Sequence, residues 1–271
     1  MSRARADQTL GSRTLPDAVP PAPRAATLSP CRLGVLAFGD SITNGGGELQ
    51  WGVALQSWAH WVARALGLPY TGYAIDGNKA VDVIRTQIPH FLSRSAHPDG
   101  RYELGCLYIG VNDVRSPDRD PASYAFDYRR ALGFLHERCD RVLTMTVPLD
   151  LGRPLTGPKV EELNRVVESI ATETQTLLVH LEDFGARNQV MVDHVHPTAF
   201  GQIAIAERAL EVVQTDGMIV QAAPHNMVHY EITPWNRLRS DATFAYRHSK
   251  VSLKAAALSS LPRTRPGVRR G

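Results

Sequence analysis

Five apolar runs punctuate the chain, each bounded by turn-forming residues: 33–39 (LGVLAFG), 70–76 (YTGYAID), 104–110 (LGCLYIG), 141–148 (RVLTMTVP) and 176–183 (TLLVHLED). Several are hydrophobic almost without interruption, as strands are when both faces of a parallel sheet are covered. Between them the apolar spacing becomes helical, over about 51–67, 79–93, 121–138, 158–174 and 198–214. In the first of these, Ala54, Trp58, Trp61, Val62 and Leu66 form one stripe, with His60 and Arg64 opposite. Gly67 then stands where a helix end favours a left-handed residue. The five-fold alternation of strand and helix predicts an α/β fold. It is a doubly wound α/β/α sandwich around a five-stranded parallel sheet, with right-handed crossovers.

Chemistry in such sheets gathers at the carboxyl ends of the strands. Ser41 follows the first run, Gly77 the second and Asn112 the third, while Asp193 and His196 lie just before the last helix. The polar residues of interest therefore share one edge of the expected sheet. Taken singly, each has a plain structural use. Ser41 fits a helix N-cap, Asn112 a turn, and Asp193 a cap beside a solvent-facing histidine.

Composition narrows the function classes. Nothing approaches the ~20 consecutive apolar residues of a membrane span. The N-terminus carries arginines but lacks the apolar core of a secretory signal. The net charge of +3 conceals an asymmetry, because residues 33–230 hold 16 basic and 23 acidic side chains while 231–271 hold 9 and 2. An acidic body with basic ends does not suit nucleic acid. The cysteines, Cys31, Cys106 and Cys139, have neither metal-site spacing nor a disulfide framework, which points to a reducing, cytoplasmic setting.

Within DHVHPTAFG (193–201), Asp193 precedes His196 by three positions and Pro197 is suited to open a helix. So short a tether can bring a carboxylate to the imidazole Nδ1 and leave Nε2 free to accept a proton. A metal reading of Asp193, His194 and His196 is poor, since the two histidines diverge and no further ligand pair stands nearby. The stretch NGGGELQWG (44–52) has no Walker lysine or dinucleotide fingerprint. Around it Asp40, Thr43, Asn44 and Trp51 are candidates to line a substrate pocket. Asp40 and Asp113 read first as structural, hydrogen bonding within their own loops, while Trp51 suits the core as well as a pocket wall.

Four blocks, FGDSIT (38–43), AIDGNKA (74–80), GVND (110–113) and DHVHP (193–197), occur in chain order at these strand ends. Together they resemble the SGNH (GDSL-like) hydrolase family over about residues 33–215. The resemblance implies a flavodoxin-like sheet and a cofactor-free, metal-free serine esterase. Ser41 would be the nucleophile, His196 the general base and Asp193 the residue orienting it. The oxyanion hole would comprise the backbone N–H groups of Ser41 and Gly77 and the side-chain amide of Asn112. The second block departs from the family pattern, with GYAID where an asparagine often precedes the glycine. GDSIT also lacks the second glycine of the G-x-S-x-G elbow, which disfavours an α/β-hydrolase. The expected substrate is a small ester. Acyl transfer at the same site, or a non-catalytic binding module recruited to anionic surfaces, are the competing readings.

The expected organisation is a disordered leader (1–32), the hydrolase domain (33–217) and a basic extension (218–271). In the extension a helix from Ser240 or Asp241 to Leu258 would align Phe244, Val251, Ala255 and Leu258. It would either pack on the domain or make weak peripheral contact with an anionic membrane, with the last ten residues disordered.

Overall fold

The computed structural model describes residues 32–259 except 154, 231 and 232, so the leader up to 31 and the final residues from 260 lie outside the description. Five strands form one parallel sheet: β1 (Val35–Gly39), β2 (Tyr70–Gly72), β3 (Tyr102–Tyr108), β4 (Cys139–Met145) and β5 (Leu177–Val179). Their order is β2-β1-β3-β4-β5. This is the flavodoxin-like arrangement, whose strand order reverses between β1 and β3 and opens a crevice at their carboxyl ends.

The central strands are buried along nearly their whole length, and all five residues of β1 are buried. The edge strands β2 and β5 are shorter than their apolar runs, three residues each. Having a partner on one side only, they leave the ladder early, although Tyr73 N–H and Ile75 N–H still reach Ala37 O and Gly39 O at 2.9 and 3.2 Å.

Helices α1 (Trp58–Leu66) and α7 (Ala199–Thr215) pack against each other on one face. The other face carries α2 (Ala80–Asp82), a π-helical turn (Val83–Gln87), α3 (Ile88–Arg94), α5 (Pro121–Arg138) and α6 (Lys159–Glu173). A short α4 (Val111–Arg115) follows β3. This division of helices between faces is what right-handed crossovers require of the strand order.

Local departures from the sequence pattern have identifiable causes. Helix α1 begins at Trp58 rather than near residue 51, because Trp51 (φ 48°) and Gly52 (φ 80°) turn left-handed and Ser57 caps the N-terminus by accepting from His60 N–H at 3.2 Å. Ala54 consequently lies outside the helix and is exposed. Gly67 closes α1 at φ 64°, as its position suggested. The single helix expected over 79–93 is broken by the π turn, where Ile88 N–H bonds to Val83 O. Pro89, lacking an N–H, cannot continue the ordinary ladder, and the preceding turn widens.

In the extension, α8 (Pro234–Ser259) starts at a proline, which is pre-shaped for the first helical position, rather than at Ser240. Asp241 pairs with Arg187 at 3.0 Å, and Arg187 also lies over the Phe244 ring. The side chains of Val251, Ala255 and Leu258 lie outside the description. No described helix is long and apolar enough to cross a membrane.

Phe91 on α3 is fully buried and meets Phe38, Tyr73 and Phe134 edge-on or tilted at centroid distances of 6.1, 5.5 and 5.8 Å. Phe91→Ala should cost about 3–5 kcal/mol in urea unfolding. A loss below about 1 kcal/mol would mean that this aromatic cluster does not hold the second helical layer to the sheet.

Candidate active site

Ser41 sits in the tight turn after β1, and that turn is held from below by buried side chains. Asp40, 1% exposed, accepts Ile42 N–H at 3.0 Å. Gln202, on α7 and fully buried, donates to Ile42 O and Gly46 O at 2.9 and 3.1 Å and accepts Trp58 N–H at 2.8 Å. A side-chain amide with two donors and an acceptor satisfies loop backbone that has no regular ladder to join.

The same helix fixes the histidine. Thr198 caps α7 by accepting Gly201 N–H at 3.1 Å, so the chain enters the helix directly after the DHVHP block. Asp193 Oδ1 accepts Val195 N–H and His196 N–H at 2.9 and 3.1 Å, folding the carboxylate back over its own loop. Its other oxygen lies 2.8 Å from His196 Nδ1. His196 Nε2 in turn lies 2.9 Å from Ser41 Oγ. A carboxylate can only accept here, so Nδ1 carries the proton and Nε2 is left to accept from the serine hydroxyl.

The shifts in proton affinity follow from these contacts. Burial alone would raise the Asp193 pKa, but the hydrogen bonds from His196 and from the Val195 and His196 amides outweigh it and hold the pKa low. The hydrogen bond to Asp193 raises the pKa of His196 against the opposing effect of burial. Two further carboxyls lie near the site, Asp40 buried and Asp113 half-buried. Burial pushes Asp40 up to about 7 against its Ile42 hydrogen bond, and pushes Asp113 up to about 6 against the N–H of Ala80. Asp40 Oδ2 has no hydrogen-bond partner among the described residues.

The oxyanion candidates come from two further loops. Asn112, in α4 after the Gly110 turn, donates from Nδ2 to Asn78 O at 3.0 Å, which orients the amide and leaves its second N–H uncommitted among the described residues. Neither Ser41 N–H nor Gly77 N–H donates a hydrogen bond among the described residues. Gly77 adopts φ 77°, and a Cβ built there would meet nothing within 4 Å. Its glycine therefore serves a left-handed turn, with open space beside it.

The pocket-lining candidates separate. Asp40 and Thr43 are 1% and 0% exposed, and both lie beneath the loop rather than against a substrate. Thr43 Oγ1 instead accepts from Trp58 Nε1 at 3.2 Å. Asn44 is exposed and donates to Asp76 beside Gly77 at 2.9 Å. Trp51 stands against Phe200 and Tyr230 at centroid distances of 5.2 and 6.4 Å. His194 Nδ1 lies 2.9 Å from Asp150 Oδ2, so the two histidines of the block face different carboxylates.

Gln87 and Gln202 escaped the sequence reading. The available signal was a glutamine on an otherwise apolar face: Gln87 follows Ala80 and Val83 and precedes Phe91 on one buried stripe.

Residues 37–203 match the GDSL-like lipase/acylhydrolase family. The chain belongs to that family. It is an ester-hydrolysing enzyme with the three-layer α/β/α fold of that family. Among solved structures, a lipolytic protein of the G-D-S-L family from Veillonella parvula is similar at TM-score 0.54 and 22% identity, covering 67% of this chain and 98% of its own. An acetylxylan esterase from Geobacillus stearothermophilus is similar at TM-score 0.50 and 21% identity, covering 68% and 96%. No curated protein matches the sequence at a significant level.

Two titrations test this electrostatic arrangement. The His196 ring should titrate above the ordinary histidine range by NMR and return toward it in Asp193→Asn. An unchanged titration would remove the carboxylate–imidazole contact. Asp40 ionises near pH 4 when unfolded and near 7 when folded, so the native state loses stability as pH climbs through that window. The stability of Asp40→Asn relative to wild type should therefore grow from pH 4 to 7, and a constant gap would contradict the burial of Asp40.

Proposed function

We propose that this enzyme cleaves carboxylic esters through an acyl-enzyme formed on Ser41. The observation that carries the reading is the continuous chain of contacts from Ser41 Oγ to His196 Nε2 (2.9 Å) and from His196 Nδ1 to Asp193 (2.8 Å). A serine hydroxyl is a weak nucleophile near neutral pH and needs a base within hydrogen-bond reach, which His196 supplies.

In this reading Ser41 Oγ attacks the ester carbonyl while its proton passes to His196 Nε2. Asp193 holds the imidazolium that forms. The carbonyl oxygen, now negative, is taken by the uncommitted donors: Ser41 N–H, Gly77 N–H and the second N–H of Asn112. His196 then gives its proton to the departing alcohol oxygen as the C–O bond breaks. Water enters and attacks the acyl carbon as His196 takes its proton; the Oγ–acyl bond then breaks, the acid leaves and His196 returns the proton to Ser41 Oγ.

Support also comes from the esterase of Geobacillus stearothermophilus. Its catalytic mutants replace a serine, an aspartate and a histidine, the aspartate three positions before the histidine, as Asp193 stands to His196. Those proteins act on acetylated xylo-oligosaccharides or xylan, and a short acyl ester is the natural first substrate to offer this chain.

Ser41→Ala should abolish turnover of p-nitrophenyl acetate while leaving the circular dichroism spectrum intact. Asn112→Ala should lower kcat by roughly 10²–10³, the usual effect of losing one oxyanion donor. Full turnover by folded Ser41→Ala would overturn the assignment.

A further inference from the structure

The π-helical turn places one fully buried amide where three loops of the site meet. Gln87 Oε1 accepts Gly39 N–H at 3.0 Å, and its Nε2 donates to Gly39 O at 2.7 Å and to Asn78 Oδ1 at 2.8 Å. Gly39 is two residues before Ser41, and Asn78 follows Gly77 directly. The Asn78 carbonyl, in turn, is the acceptor that orients the Asn112 amide. One side chain thus connects the nucleophile turn, the second-block loop and, through Asn78, the third block.

Ile75 N–H also reaches Gly39 O at 3.2 Å and Ala80 N–H reaches Asp113 at 3.2 Å, but Gln87 ties Gly39 to the residue, Asn78, whose carbonyl orients the Asn112 amide. Asn78 N–H returns to Ile75 O within its own loop at 3.2 Å. The exposed contact between Asn44 and Asp76 bridges the rim, where water competes for both partners. Gln87 is sealed from water, so its hydrogen bonds keep their strength, and losing it strands the buried Gly39 N–H, while Gly39 O keeps the bond from Ile75 N–H. Its reach depends on the π turn, which shifts the register of side chains before α3 and delivers an amide to a stripe that otherwise supplies Val83 and Phe91 to the core. Because Gly39 needs both its N–H and its C=O satisfied beneath the sheet edge, an apolar residue at position 87 would leave both without this partner.

We propose that Gln87 is a positioning residue for the oxyanion hole: it fixes the loop carrying Gly77 and the Asn112 amide at a set distance from Ser41. Gln87 touches no substrate. It acts through Gly39 and Asn78, and its influence falls on transition-state stabilisation rather than on substrate capture. The proposal rests on the acyl-enzyme reading above.

Gln87→Met keeps the length of the side chain and removes all three hydrogen bonds. With p-nitrophenyl acetate, kcat should fall about 10–100-fold, less than for direct loss of a donor, with KM nearly unchanged. In the double variant with Asn112→Ala the two losses should be far from additive, since both act on one oxyanion. A purely structural role would lower the thermal midpoint and leave kcat intact; that result, or a fully additive double variant, overturns the proposal. Should Gln87→Met fail to fold, Gln87→Glu serves instead. Ionised, it can accept Gly39 N–H but donate nothing; protonated, it regains one donor. Its activity relative to wild type at the same pH should therefore rise as pH falls, and a constant ratio counts against the proposal. Ser41→Ala assayed in parallel separates the two claims, because turnover surviving there defeats the hydrolase reading itself, whereas an inactive Ser41→Ala beside a fully active Gln87→Met defeats only the role of Gln87.

Discussion

The 2.9 Å contact between Ser41 Oγ and His196 Nε2 joins loops separated by 155 residues, and neither loop can impose it alone. What imposes it is the need to satisfy polar backbone at the end of a parallel sheet. Strands that run in one direction release their chains at one edge, and the released segments have no ladder of their own. Here two buried glutamines take up that role. Gln202 ties the turn after β1 to helix α7, whose N-terminus follows His196. Gln87 ties the same turn to the second-block loop. The serine–histidine contact is the consequence of backbone hydrogen bonding at a sheet edge.

That edge is also electrically unusual. Asp40 is fully buried and Asp113 half-buried, and desolvation raises both pKa values, while Asp193, the partner of His196, remains ionised. The three carboxyls differ because their hydrogen bonds differ. Asp193 takes two backbone N–H groups and the imidazole, which compensate for its desolvation. Asp40 takes one, and its other oxygen has no hydrogen-bond partner among the described residues. Environment alone thus separates a carboxylate held ionised from two whose pKa is raised.

Long-range order was readable wherever periodicity carried it. Apolar runs located every strand, and the five-fold alternation led to the doubly wound α/β class, while the flavodoxin-like sheet came from the family resemblance. Boundaries were less readable where a single residue overrides the pattern: Gly52 delays α1, Pro89 opens the π turn, and Pro234 starts α8 six residues before Ser240. Ser41, His196 and Asp193 could be proposed from the sequence because their chemistry needs those side chains at those strand ends. Gln87 and Gln202 could not, since a glutamine on an apolar face looks like an interruption until the loop it serves is known. Asp40 fits its leading structural reading, hydrogen bonding within its own loop, whereas Thr43, offered only for the pocket, is buried. Polar residues beside a nucleophile suggest substrate contact, yet both are needed below to close the turn.

The central claim is that Ser41 is made reactive by His196 across that one contact. Incubation with a fluorophosphonate, followed by digestion and peptide mapping, tests it most directly. A single covalent adduct on Ser41 in the wild-type protein, lost in folded His196→Ala, is the result predicted. Folded wild-type protein that carries no adduct, or carries it on another residue, would contradict the account.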